Sequence, residues 1–434
     1  MTNMTKERAP WRHRAALLLL VSIGLLGAAS AQTESVLYSF CSQTNCTDGE
    51  NPNAVAFDKR GDLYGTTQSG GYGVGVVFKL TPRGEETVLH SFCKQPPCTD
   101  GELPYSGVIF DPKGNLYGTT YYGGSRLLRR NGHGVVFRVT PSGNESVLYG
   151  FGKRHITFTD RDGINPVGGV VLHKDGNLYG TTYEGGAYGY GVVFKLTLTG
   201  KATILYSFCS QHNCTDGAKP EAGIVFDQKG NLYGTTAEGG AYGCGGDGCG
   251  VVFRLSPGGM ETVLYSFCTL SSCVDGAGPL AGLVRDKAGN LYGTTISGGT
   301  GGDGYVGEGV VFKLTPTGEE TVLYSLCSQY EQGECPDGAG PQAGLIRDRK
   351  GNLYGTTGFG GAYDSRGGVV FKVTPDGKET VLYSFCAQSN CTDGQSPKAG
   401  LVFDQQGNLY GTTVLGGTHG DGVVFKLMPK SHVR

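Results

Sequence analysis

The stretch "TESVLYSF", Thr33 to Phe40, is the tail of a phrase whose beginning is missing. The same words return complete further along, as "GEETVLHSF" ending at Phe92 and "GKETVLYSF" ending at Phe385. The last copy runs "AGLVFDQQGNLYGTT" (Ala399–Thr413) and "GVVFKLMP" (Gly422–Pro429), then stops without that closing phrase. The opening fragment is the missing piece. A linear stack of repeats gains nothing by splitting one copy between its two ends. A closed ring does, because both termini then share one sheet and lock the circle.

The rest of the chain supports a ring. "LYGTT" occurs seven times, with its tyrosine at Tyr64, Tyr117, Tyr179, Tyr233, Tyr292, Tyr354 and Tyr410. "GVVF" also occurs seven times, beginning at Gly75, Gly134, Gly191, Gly250, Gly309, Gly368 and Gly422. Over residues 32–434 the period is about 58 residues, close to a propeller blade and longer than most solenoid coils. One unit reads, from Ser106, "SGVIFDPKGNLYGTT…GVVFRVTPSGNESVLYGF". It holds four short runs rich in Val, Ile, Phe, Tyr and Thr, the composition of strands. Tight turns at Asp111–Gly114 and Pro141–Gly143 join the first run to the second and the third to the fourth. "VVF" is apolar on both faces, as in a sheet sandwiched between sheets, and no segment keeps a helical period. The expected fold is all-β: a seven-bladed β-propeller of four-stranded blades, closed by the N-terminal strand completing the last blade.

The first 31 residues stand apart. Lys6, Arg8, Arg12 and Arg14 precede an apolar run, Ala15–Leu26, and small residues follow at Ala29 and Ala31. That order reads as a signal peptide cleaved after Ala31, giving a secreted or periplasmic protein. The apolar run is too short for a membrane span, and none is expected in the mature chain. What remains carries 32 basic and 37 acidic residues, a balance that argues against nucleic-acid binding. Gly accounts for 77 of 434 residues with no triplet period, so the chain is rich in turns.

Fourteen cysteines fall into seven local pairs. Cys41/Cys46, Cys93/Cys98, Cys209/Cys214, Cys268/Cys273, Cys327/Cys335 and Cys386/Cys391 lie in the connections between units, and Cys244/Cys249 precedes the fourth "GVVF". The third unit lacks both partners, so the residues come and go in pairs. Behind a signal peptide this predicts seven disulfides that stiffen loops. With no C-x2-C and no accompanying His, no metal is expected. No cofactor is expected either.

The hairpin turns are short and nearly constant, while the other two connections of each unit are long and variable. In a four-stranded meander both long connections emerge on one face, which with the mouth of the central channel is the candidate site. Near it, "TDG" or its variants place Asp48, Asp100, Asp216, Asp275, Asp337 and Asp393, with Asp160 and Asp162 in the third unit. These form either an acidic rim or a set of Asp-Gly turns; repetition favours turns. Departures from the repeat say more. "YYGGSRLLRRNGHG" brings Arg126, Arg129, Arg130 and His133, and "GKRHITFTDRDG" brings Arg154 and His155. Together they predict a basic patch suited to a carboxylated glycan or an acidic partner, against the alternative of a solvated loop. No HExxH, GxSxG, Walker or dinucleotide signature is present, so no catalytic residue is assigned. Glu184, Glu238 and Glu308 lie in long loops, recommended by position alone.

The consensus "GNLYGTTxxGG…GVVFKLTPxGxETVLYSF" resembles the GloVer (Gloeo_Verruco) tandem-repeat family of secreted bacterial proteins, and its strand order is similar to NHL-type propeller repeats. The resemblance implies a propeller-like extracellular protein and supplies no catalytic residues. Many members carry a C-terminal sorting segment; this sequence ends at "LMPKSHVR", and release or periplasmic residence is expected. The expected function is a monomeric, non-catalytic binding scaffold for an extracellular glycan or protein. The alternatives are an extracellular glycoside hydrolase or polysaccharide lyase with a site at the channel mouth, and a structural surface protein.

Overall fold

The computed structural model describes residues 33–124, 132–152, 161–241, 244, 246–302 and 307–428. They build seven antiparallel sheets, one per repeat, and the only helical pieces among them are single 3-10 turns. Blade two shows the plan: Ile109–Phe110, Leu116–Thr120, Val135–Val139 and Glu145–Gly150 pair in chain order. The first blade carries an extra short strand, Glu50–Pro52, paired with Leu63–Ser69. In the seventh, Thr33–Ser39 pairs with Val423–Met428, joining Thr33 to Met428 and Ser39 to Val423. The ring closes through its N-terminal strand.

Each letter of "LYGTT" has a separate task. Leucine is buried between sheets. The tyrosine ring meets the next blade edge-on at Phe110, Phe226, Phe403 and Phe57, or lies under Arg285 and Arg347. Glycine is needed for space rather than for its backbone angles. A Cβ on Gly118 would stand 2.5 Å from Cζ of Phe137 on the neighbouring strand. The first threonine donates to a backbone carbonyl of the next blade in all seven cases, at 2.7 to 3.3 Å. The last of these, Thr412 to Asn53, again joins the two ends of the chain. The second threonine accepts the N–H opening the "VVF" strand and donates to the carbonyl two residues ahead, as Thr67 does with Val76 and Ser69.

Packing between blades repeats the same economy. In six blades the phenylalanine after the fourth strand meets the "VVF" phenylalanine of the following blade, as Phe92 on Phe137, Phe151 on Phe194, and Phe40 on Phe78 across the closure, all near 5 Å and edge-on, while blade five has Leu326 there. Edge-to-face pairs at this spacing add about 0.5–1.5 kcal/mol beyond burial.

All fourteen cysteines are paired as expected and none is free. Cys41 is bonded to Cys46, Cys93 to Cys98, Cys209 to Cys214 and Cys244 to Cys249. Cys268 is bonded to Cys273, Cys327 to Cys335 and Cys386 to Cys391. Seven disulfides fit an extracellular protein. Among the described residues no helix is long and apolar enough to cross a membrane.

Candidate functional site

The turns Asp58–Gly61 and Pro82–Gly84 meet on one face, and the long connections meet on the other. There the disulfide loops do more than the pairing predicts. The second cysteine of each inter-blade pair offers its carbonyl to a glycine N–H of the blade's other long connection. Cys46 accepts from Gly71, Cys98 from Gly124, Cys214 from Gly240, Cys273 from Gly299, Cys335 from Gly361 and Cys391 from Gly417, all at 2.9 to 3.0 Å. Each disulfide therefore stiffens its own loop and, through one backbone bond, holds the loop beside it. None of these cysteines lines the central cavity, so Cys214, Cys335, Cys391 and their equivalents are framework residues of the face rather than ligand contacts.

On this face the aspartates do not form an acidic rim. Asp48, Asp216, Asp275, Asp337 and Asp393 are fully buried. Asp48 accepts Tyr38 Oη–H at 2.7 Å and the Ser42 and Gln43 N–H groups, tying the disulfide loop to the strand before it. Asp162 accepts Tyr149 Oη–H at 2.6 Å in the blade without a disulfide. Such aspartates bond to residues five to thirteen positions back, so they fasten loops rather than form isolated Asp-Gly turns.

Of the predicted basic patch, Arg126, Arg129, Arg130, Arg154 and His155 lie outside the described residues. His133 is half-buried, and its carbonyl accepts the Asn165 N–H at 2.8 Å.

The centre of this face is a cavity of about 520 Å³ lined by all seven blades, within the ~300–1,000 Å³ usual for small-molecule sites. Each blade reaches it through the same short phrase, a buried proline followed by one variable residue and two small ones. The variable residues are Tyr105, Val167, Glu221, Leu280, Gln342 and Lys398, and no two are alike. Blade one is a residue shorter: the Asn53 carbonyl takes the threonine bond that Ser106 and Gly168 take elsewhere. Its side chain is bound to Thr66 and the Pro104 carbonyl. A ring of near-identical blades thus presents six different side chains at equivalent points of the mouth.

Blades two to four bring tyrosines and charged side chains together. Tyr105 meets Tyr121 edge-on at 5.2 Å, and Tyr121 meets Tyr122 at 4.6 Å. The Tyr121 hydroxyl is pushed up to about 12, first by burial and then by Tyr122, Glu184, Tyr183 and Tyr105 around it. Lys219 Nζ is 2.9 Å from Glu238 Oε1 and 5.5 Å from the centre of the Tyr183 ring. Burial, with Glu238 nearby, raises the Glu221 carboxyl above its ordinary range, and Lys219 partly offsets this. Glu184 and Glu238 therefore belong to a cluster. The sequence signal that marks it is the variable residue after each proline, read across copies.

Among the described residues, seven aromatic side chains are more than about a third exposed: Tyr72, Tyr105, Tyr188, Tyr190, Tyr330, Phe359 and Tyr363. All belong to the long connections. The exposed large apolar residues elsewhere are aliphatic: Val36, Val147, Leu198, Met260 and Met428.

The fold and this face define a disulfide-bonded propeller that keeps its variation at the channel mouth. The chain belongs to the Gloeobacter/Verrucomicrobia repeat family, whose model matches residues 25–156, 153–336 and 245–434. Among curated proteins none matches the sequence. The extracellular domain of BT4673, described as a hybrid two component system of B. thetaiotaomicron, is 13% identical. The match covers 91% of this chain and 39% of that one, with a TM-score of 0.50. Puromycin hydrolase is 12% identical over 89% of this chain and 55% of its own, at 0.48. Luciferin-regenerating enzyme is 12% identical over 75% and 91%, at 0.42. This chain spans less than two thirds of the first two. Likeness at such identity speaks for the fold alone.

Proposed function

We propose that this protein is a secreted scaffold that binds an extracellular glycan on its long-loop face, with the sector of blades two to four as the seat. The observation that carries the reading is the confinement, among the described residues, of the exposed aromatic side chains to that face. A tyrosine ring offers an apolar surface for the C–H face of a sugar and a hydroxyl for its edge, at low entropic cost. Around the four clustered tyrosines stand the hydrogen-bonding groups a sugar needs, Glu184, Glu238 and Lys219. Arg126, Arg129 and Arg130 follow Tyr121 and Tyr122 closely in sequence and are proposed to add anion selectivity.

The test is depletion of the purified protein by a panel of insoluble acidic and neutral polysaccharides. Retention on at least one is expected, weakened at least 10-fold by Tyr105→Ala with Tyr183→Ala while the melting curve holds. Retention indifferent to these changes would remove the site. Absence of retention on every polysaccharide would favour a protein partner or a structural role.

A second reading is carbohydrate cleavage. Glu221, its carboxyl raised above the ordinary range by burial, stands near Glu238, which is paired with Lys219. Two carboxyl groups in unlike surroundings are the usual acid and base of glycosidic hydrolysis. Release of reducing ends that disappears in Glu221→Gln would establish it.

A further inference from the structure

We infer that the channel mouth selects a sugar unit or chain end carrying both an amino group and a carboxylate, held between Glu221 and Lys398. The inference rests on the glycan reading above and adds the ligand's charge pattern. It follows from the six variable positions. Two of them are ionisable, one of each sign, and they stand three blades apart, on opposite sides of the same cavity.

Neither charge is closed in an ion pair by the fold. Among the described residues, ion pairs engage Asp62, Asp100, Asp175 and Glu238 with basic partners, and neither Glu221 nor Lys398 takes part. Lys398 is exposed, its ammonium 5.9 Å from the centre of the exposed Phe359 ring. Glu221 is half-buried on the wall, with Lys219 already engaged by Glu238. The places between them are filled by neutral groups: Leu280 and Gln342 on one side, Val167 and Tyr105 on the other. A neutral sugar leaves both charges without a partner. A purely acidic one meets Glu221 as a repelling charge, and a purely basic one meets Lys398 so. Only a ligand with both groups satisfies both ends at once.

The test is titration calorimetry near neutral pH with four β-linked disaccharides of one shape. These are glucosaminyl-glucuronic acid, its N-acetyl form, glucosaminyl-glucose and N-acetylglucosaminyl-glucose. The first should bind about 10-fold or more tightly than either singly charged form, each tenfold corresponding to about 1.4 kcal/mol. Glu221→Gln should erase the advantage of the free amine and leave the neutral N-acetylglucosaminyl-glucose unchanged. Lys398→Met should erase the advantage of the carboxylate and leave the neutral N-acetylglucosaminyl-glucose unchanged. Equal binding of all four, or equal loss across all four in either variant, overturns the inference. So does failure of all four to bind. If polysaccharide retention still depends on Tyr105 and Tyr183 in that case, the glycan reading stands without it; if retention is absent too, both fall.

Discussion

Raising the pH from 5 to 8 should loosen this propeller, and six glutamates say by how much. Glu34, Glu86, Glu145, Glu261, Glu320 and Glu379 sit at or near the start of the fourth strand in six blades, where blade three has Ala202. Each has at least one buried carboxyl oxygen without a hydrogen-bond partner. Burial raises five of them to about 7 and Glu379 to about 8. The fastened aspartate of the preceding blade adds to the effect, as Asp48 does for Glu86 and Asp337 for Glu379. For Glu145, His90 pulls the other way.

The sign follows from proton counting. A carboxyl raised on folding binds more protons folded than unfolded, so its contribution is complete below the unfolded value of 4.5 and is lost as the pH rises through 7. Displacing a pKa by one is worth about 1.36 kcal/mol, and the solvent still touching these half-buried side chains cuts the effect to about 1 kcal/mol apiece. Six together give about 6 kcal/mol, set against an unfolding entropy of about 0.8 kcal/mol/K for a domain of this length. The melting midpoint should therefore fall by about 7 °C between pH 5 and pH 8. Calorimetry at matched ionic strength reads this directly. A variant with all six changed to Gln should melt at nearly the same temperature at both values. A wild-type midpoint flat or rising over this range refutes the reasoning. The hairpin aspartates do not confuse the result, since hydrogen bonds from Asn115 and Tyr117 lower Asp111, and its effect falls below pH 4.

Removal of Thr33–Phe40 strips the fourth strand from blade seven and takes Phe40 from Phe78. Burial of that ring alone is worth about 3–5 kcal/mol, so the truncated chain should melt several degrees lower and lose cooperativity; a midpoint equal to full length would sink the closed ring. Gly118→Ala forces a methyl against Phe137 and should cost about 1–3 kcal/mol by urea denaturation. An unchanged midpoint there would mean that the "LYGTT" glycine is not needed for space.

The fold is legible in the sequence because its signals are local and repeated. "LYGTT" and "GVVF" mark strands, the split copy marks closure, and the paired loss of cysteines in one unit marks the disulfides. Pairing alone says nothing of where a cysteine's backbone points, so the carbonyl bonds of Cys214, Cys335 and Cys391 to the neighbouring loops are visible only in the fold. The aspartates form neither a rim nor the isolated Asp-Gly turns that repetition favours, and the reason is physical. A carboxylate in a Gly-rich loop reads the same in sequence whether it faces water or is enclosed by Tyr38 Oη–H and two N–H groups. The mouth is legible as a region, but its residues are not. Arg126 and its neighbours stand out because they change the charge of a loop, a departure visible within one copy. Val167 or Leu280 says nothing alone.

What gives those residues meaning is the closure itself. In a ring, equivalent positions from units about 58 residues apart converge on one axis, so a single site is written one letter per repeat. The threonine that donates to the next blade has little freedom to vary, because its loss removes a hydrogen bond across a blade interface. The glycine that admits the phenylalanine ring has little either. In blades two to seven the residue after the proline lines the cavity, and contacts such as Tyr105 with Tyr121 and Lys398 with Phe359 lie at the mouth, so the core places little demand on its identity. Freedom from packing alone would fill these places with any small polar residue. Instead they hold one carboxylate, one ammonium, one phenol, one amide and two aliphatic chains around 520 Å³. A face that served merely as the end of a structural rod would have no use for opposite charges on opposite walls. The composition of the ring is therefore an argument for a ligand, independent of any likeness to other propellers.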